Sequence, residues 1–150
     1  MKALLFTVLM AAACGGGHKG GDTAGGGGAA KDSLYTRLGG ETGIKGVVKD
    51  FVENIVLKDD RISKFFLNAD GPGLEKKLYD QICEAAGGPC KYTGKDMKTA
   101  HAGMGIKEAD FNALVEDLVK ALDNAHVADA DKQTLLGVLG PMKGDIVTAQ

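Results

Sequence analysis

His101 stands in the run Met97-Lys98-Thr99-Ala100-His101-Ala102-Gly103-Met104-Gly105-Ile106, and it is the histidine best placed for chemistry. The chain holds three histidines. His18 falls in a glycine-rich stretch, and His126 stands among Asp123, Asn124, Asp129 and Asp131 in what reads as a solvated turn. His101 instead ends a short helical run, with Met97 one turn before it, glycines directly after it and Ile106 just beyond. An imidazole among apolar neighbours suits an iron ligand, and glycines let a chain approach a bound group closely. A lone histidine in such a place is also an ordinary structural residue. Its surroundings have to decide.

The elements that must position it are helical. Ile44, Val47, Val48, Phe51, Val52, Ile55 and Val56 recur at i, i+3, i+4 and i+7, the spacing of an amphipathic helix starting near Glu41 and Thr42. A short helix over Ser33–Leu38 precedes it, stopped by Gly39-Gly40, and a brief turn of helix spans Asp60–Phe66. After the loop Asn68–Gly73, Leu74, Leu78 and Ile82 share one helix face, and Gly87-Gly88-Pro89 ends that helix. Residues 90–106 are irregular. Phe111, Leu114, Val115, Leu118, Val119 and Leu122 then define a long helix. A last helix, capped by Asp129 or Asp131, carries Leu135, Leu136, Leu139, Met142 and Ile146, with a kink predicted at Gly140-Pro141. The count is four substantial helices without strand alternation, so the fold class is all-α.

Composition bounds the function. The chain of 150 residues carries a net charge of −2 and an isoelectric point near 5.9. Neither makes an electrostatic case for nucleic acid or an anionic membrane, and basic runs interleaved with aromatics are absent. Residues 1–13 read as an export signal: Lys2, then an apolar core from Ala3 to Ala13, too short for the roughly 20 residues a membrane span needs. Cys14 follows directly, as in a bacterial lipoprotein signal, although Ala11 stands where leucine is usual, so simple cleavage competes with lipidation. Residues 14–31 form a glycine-rich tether and residues 32–150 the single domain. The expected location is periplasmic, with a lipid anchor through Cys14 as one form of it.

Export changes the meaning of Cys83 and Cys90. Seven residues apart, they would lie about 10 Å apart on an unbroken helix, beyond the roughly 7 Å Cα limit for a disulfide. Gly87-Gly88-Pro89 turns the chain back between them, so both a disulfide and two free thiols stay open. Covalent c-type haem attachment is not expected, since no Cys-x-x-Cys-His run exists.

Several short motifs, in order, resemble the group I truncated haemoglobins: Ser33-Leu-Tyr-Thr-Arg-Leu-Gly-Gly-Glu41, Lys64-Phe65-Phe66, Gly87-Gly-Pro89, Tyr92-Thr-Gly-Lys-Asp-Met97 and Ala100-His-Ala-Gly-Met-Gly-Ile106. The resemblance runs over about Ser33–Val147. It implies a globin-like, two-over-two helical sandwich around haem b, a monomer, and reversible binding of oxygen, nitric oxide or carbon monoxide at the iron. Residue by residue, it makes His101 the proximal ligand, bonding iron through one ring nitrogen while the other donates to a backbone carbonyl. Phe66 would pack flat on the haem, and Met97, Ile106 and Phe111 would line the proximal side. Phe51, Val52, Leu74 and Leu78 would face the distal cavity, with Lys77 reaching a haem propionate or the iron.

The distal side departs from the family pattern. A tyrosine is usual at Val52 and a glutamine frequent at Leu78, both hydrogen-bonding the bound gas. Losing one such bond to a partly charged ligand costs about 1.5–3 kcal/mol, or roughly 10- to 100-fold in retention. Fast oxygen release is the expectation, unless Tyr79 or Gln81 swings in as a replacement donor. Matching the family also needs one extra residue, which counting places at Val56-Leu57-Lys58. The alternatives to gas binding are nitric oxide dioxygenation, which needs an unidentified reductase outside the cytoplasm, and nitric oxide or redox sensing through a partner.

Overall fold

The computed structural model describes residues 31–149, so the leader, the tether up to residue 30 and Cys14 lie outside the described residues. The described chain is helical throughout, with no strand among the described residues. A short α1 (Leu34–Arg37) is started by Ser33, whose hydroxyl accepts the Thr36 N–H at 3.2 Å. Then α2 (Gly40–Lys49) begins one residue before the polar pair expected to start it.

The second helix does not simply run on. It widens into a π turn over Asp50–Ile55 and tightens into a 3₁₀ turn over Val56–Lys58. A π turn holds an extra residue without breaking the rod. It is pinned from outside by Asp50, whose carboxylate accepts from Asn54 at 2.9 Å and from Asn124 at 2.8 Å. Those two donors also hold the Asp50 carboxyl below its ordinary range. Phe51, Val52, Ile55 and Val56 all remain buried through both changes of pitch.

A 3₁₀ turn at Ser63–Phe65 leads to α3 (Gly71–Ala85). Asp70 caps α3 by accepting the Gly73 N–H at 3.1 Å, and Pro72 sits in the first turn, where its missing N–H costs nothing. The loop expected up to Gly73 therefore ends earlier. Five residues, Met97–His101, make α4. Next come α5 (Glu108–Asn124) and α6 (Asp129–Leu139), whose acidic first turn favours the positive helix end. The kink predicted at Gly140-Pro141 is a 3₁₀ turn over Gly140–Met142, followed by α7 (Lys143–Ile146).

Packing makes two pairs. The α2 rod lies chiefly on α3, α5 touches α6, and the pairs meet where α5 crosses the π turn and α3 crosses α6. Ile44, Val48, Val56, Ile62, Leu122 and Leu135 are essentially sealed from water at the centre. Burying one such side chain contributes about 1.5–3 kcal/mol. Arg37 fastens α1 to α6 through Asp131 at 2.7 Å.

A domain of this size usually has one contiguous core. Here a second cluster stands apart, formed by Ile106, Phe111 and Ile146 with Met97, Val115, Met142 and Val147 around them. Phe65 is the side chain that packs against both. The second cluster is closed by Thr148 and Ala149, whose N–H groups donate to the Ile106 carbonyl at 2.9 and 3.0 Å.

Candidate functional site

The site lies where the two clusters fail to merge. Its first wall is α4. Asp96 starts that helix by accepting the Thr99 N–H at 2.9 Å, a contact that holds the Asp96 carboxyl below its usual range. Five residues are too few to hold a helix on their own, so the cap and the packing on α7 fix it. At its end His101 is half-buried, and its Nδ1–H donates to the Met97 carbonyl at 2.8 Å. That bond orients the ring and leaves Nε2 as the lone-pair nitrogen. Gly103 then takes φ +75°, a left-handed turn that would strain a side chain.

The facing wall is α3. Leu74 and Leu78 are half-buried on its inner face, each packed against the main core. Phe66 packs there too, and Phe51 and Val52 lie buried behind them. Met97, Ile106 and Phe111 belong to the second cluster with His101's helix. Lys77 is exposed on α3. The residues singled out in the sequence thus divide between two walls, five on the main core and three on the other.

Beside Met97, between α3 and the segment that leads into α4, opens a cavity of about 300 Å³, lined by Gln81, Ala85, Tyr92, Met97, Val138 and Met142, with Glu84 and Asp96 at its polar edge. His101, Leu74 and Leu78 do not line it. This is the lower end of the size range for ligand pockets. Met97 is the one lining residue among those proposed as contacts from sequence. Gln81 had a signal in the sequence: seven residues after Leu74, it sits about 20° from it on the helix wheel. Val138 and Met142 are one turn apart but straddle the Gly140-Pro141 break, which hides their common face. Phe66, singled out in the sequence for packing on the haem, packs on the main core, and its neighbour Phe65 touches both clusters.

The mouth of the cavity is braced by a cross-link. Cys83 and Cys90 form a disulfide with Cα atoms 5.7 Å apart, tying the end of α3 to the loop that leads to α4. Glu84 adds to the brace, accepting the Tyr92 N–H and the Lys91 ammonium, both at 3.0 Å. Those two bonds depress the Glu84 carboxyl below its ordinary range. Tyr92 itself donates to the Lys95 carbonyl at 2.8 Å, and burial raises its phenol. Its hydroxyl lies so close to Gly94 that a Cβ there would clash with it.

Outside the site, Asp117 on α5 is buried, and its Oδ2 has no hydrogen-bond partner. Burial, then the nearby Asp59 charge, raises its carboxyl above the usual range. Among the described residues no helix is long and apolar enough to cross a membrane.

Comparison with known proteins bears on this arrangement. The family model for bacterial-like globins matches residues 33–148. The chain is 38% identical over 98 residues to a group 1 truncated hemoglobin of Tetrahymena pyriformis, covering 65% of this chain and 80% of that protein. It is 34% identical over 118 residues to a group 1 truncated hemoglobin of Mycolicibacterium paratuberculosis, covering 79% of this chain and 86% of the relative. Among solved structures, the Fe(III) form of the Tetrahymena pyriformis protein superposes with a TM-score of 0.74 at 34% identity, over 77% of this chain and 98% of the other. A 2/2 hemoglobin from Synechococcus, in the cyanomet state with covalently attached heme, superposes with a TM-score of 0.71 at 28% identity, over the same 77% and 98%.

Proposed function

The chain belongs to the group 1 truncated haemoglobins, and we propose that its haem is held through His101. The fold is the two-over-two globin, and the protein is a haem-binding globin that takes a diatomic gas at the iron. Haem supplies an iron whose four in-plane ligands come from the macrocycle, so one imidazole completes the protein's share of the coordination.

The carrying observation is the 2.8 Å bond from His101 Nδ1–H to the Met97 carbonyl. It fixes the tautomer in which Nε2 is free to coordinate, and it makes the imidazole a better electron donor. The split core fits the same group: a flat apolar macrocycle has partly buried faces waiting on both sides. On the His101 side, Met97, Ile106 and Phe111 would pack against the macrocycle. Opposite, Leu74 and Leu78, backed by Phe51, Val52 and Phe66, give an apolar wall. Lys77, exposed on α3, would reach a propionate.

The test is the absorption spectrum of the purified protein and of His101→Ala in ferric, ferrous and carbon monoxide forms. Loss or alteration of the histidine-ligated ferrous spectrum in the variant supports the assignment. Unchanged spectra sink it.

An exported, Cys14-tethered monomer is the matching proposal for location and assembly. A disulfide at Cys83–Cys90 suits an oxidising compartment, which supports export. Metabolic labelling with a fatty-acid analogue, compared between the chain and its Cys14→Ser variant, separates lipidation from simple cleavage.

A further inference from the structure

We propose that the Gln81 carboxamide is the hydrogen-bond donor this chain offers to a gas held opposite His101. The proposal deepens the haem reading above and rests on it. Gln81 follows Leu78 by three residues and Leu74 by seven, so at about 100° per residue all three share one face of α3. Its side chain does not lie along that face. It crosses the cavity, and Nε2 donates toward Met97 Sδ at 3.4 Å and Met142 Sδ at 3.2 Å. Both sulfurs belong to the cluster on the His101 side.

Thioether sulfur is a weak acceptor, so this amide is held in an apolar slot by the poorest partners a donor can have. Haem held by His101 would be contacted by the α3 face that carries Leu74, Leu78 and Gln81. A Gln81 amide freed from both methionines would exchange two weak acceptors for a partly negative diatomic ligand, a better one. The donor absent at Val52 and Leu78 is thereby supplied about one helical turn further along.

Tyr79, the other candidate from the sequence, is turned away. Its hydroxyl donates to Cys90 Sγ at 3.3 Å, and the Lys45 ammonium lies 5.3 Å from its ring centre. Burial, with Tyr35 beside it, pushes its phenol up to about 12. These contacts hold it on the α2 side of the helix.

The experiment is the infrared C–O stretch of the ferrous carbon monoxide complex in wild type, Gln81→Leu and Gln81→Met. A donor to the ligand's oxygen pulls electron density into the antibonding orbitals of carbon monoxide and lowers that frequency. Both variants should therefore absorb at higher wavenumber than wild type, and oxygen release by stopped flow should quicken about tenfold or more. Gln81→Met keeps length and flexibility, so it decides the matter if the leucine variant loads haem poorly. An unchanged stretch in haem-loaded variants overturns the assignment of Gln81 alone. A wild type that takes up no haem overturns the haem reading, and this assignment with it.

Discussion

His101 Nδ1 stands 2.8 Å from the carbonyl oxygen of Met97, one helical turn earlier, so the imidazole is oriented by the same short helix that presents it. His101→Ala should lose the histidine-ligated ferrous and carbon monoxide spectra. In His101→Gly, added imidazole should restore them by filling the space left behind. Spectra that ignore both changes would remove His101 from the coordination sphere.

The helix carrying that histidine depends on Asp96. Its carboxyl is depressed by the hydrogen bonds it accepts at Thr99, so the cap contributes stability above the ordinary carboxylate pKa. That contribution is lost as pH falls through the lowered value. Asp96→Ala should lower stability and speed haem transfer to apomyoglobin. Asp96→Asn, which still caps, should behave close to wild type at neutral pH. Equal transfer rates in all three proteins would show that the cap does not govern the histidine.

The disulfide closes a loop with a sequence separation of 7, for which chain entropy alone gives about 2–3 kcal/mol. Cys83→Ser with Cys90→Ser should lower unfolding free energy by that amount in urea titrations, and dithiothreitol should do the same to wild type. Loss of the brace should also release the Tyr92 segment, read as faster amide exchange over 90–96. Unchanged stability would mean that Glu84 and its two partners hold the loop unaided.

Asp117 runs the other way in pH. Its carboxyl is raised, so the folded protein keeps the proton to higher pH than the unfolded chain does. The resulting stability is full below the ordinary aspartate pKa and is lost as pH rises through the raised value. Asp117→Asn, which cannot ionise, should be more stable than wild type near pH 7, because it removes the charge that burial disfavours. The gap should close in acid. Thermal unfolding across pH 3–8 checks it, and a gap that widens in acid would contradict it.

Restoring the family's donor gives a complementary test of the apolar wall. Leu78→Gln adds a hydrogen bond worth about 1.5–3 kcal/mol to a partly charged ligand and should slow oxygen release roughly 10- to 100-fold. Unaltered release would mean that position 78 does not face the gas.

Much of this was legible in the chain. The heptad-like spacing from Ile44 to Val56 marks a helix whichever turn it contains, because a buried stripe needs only that apolar residues return to one side. Gly87-Gly88-Pro89 signalled the reversal that lets Cys83 reach Cys90. The π turn left no such trace, since Asp50–Ile55 satisfies an i+4 pattern almost as well as an i+5 one. Phe65 and Phe66 are adjacent and chemically alike, and only the position of the second cluster separates their roles. Gln81 was visible as a neighbour of the inner face. Its contact with Met142 was not, because it joins residues 61 apart across a broken helix.

The wide turn at Asp50–Ile55 also governs how chains of different length can share this pocket. Counting places the extra residue of this chain in Val56-Leu57-Lys58, yet the turn with room for it lies earlier. A register shift taken up inside the rod leaves Ile44 and Val48 where they were, and Phe65 and α3 as well. An extra residue taken up there would renumber only the short span from Phe51 to Ile55, so which residue of that span stands above the gas is settled by its place in space.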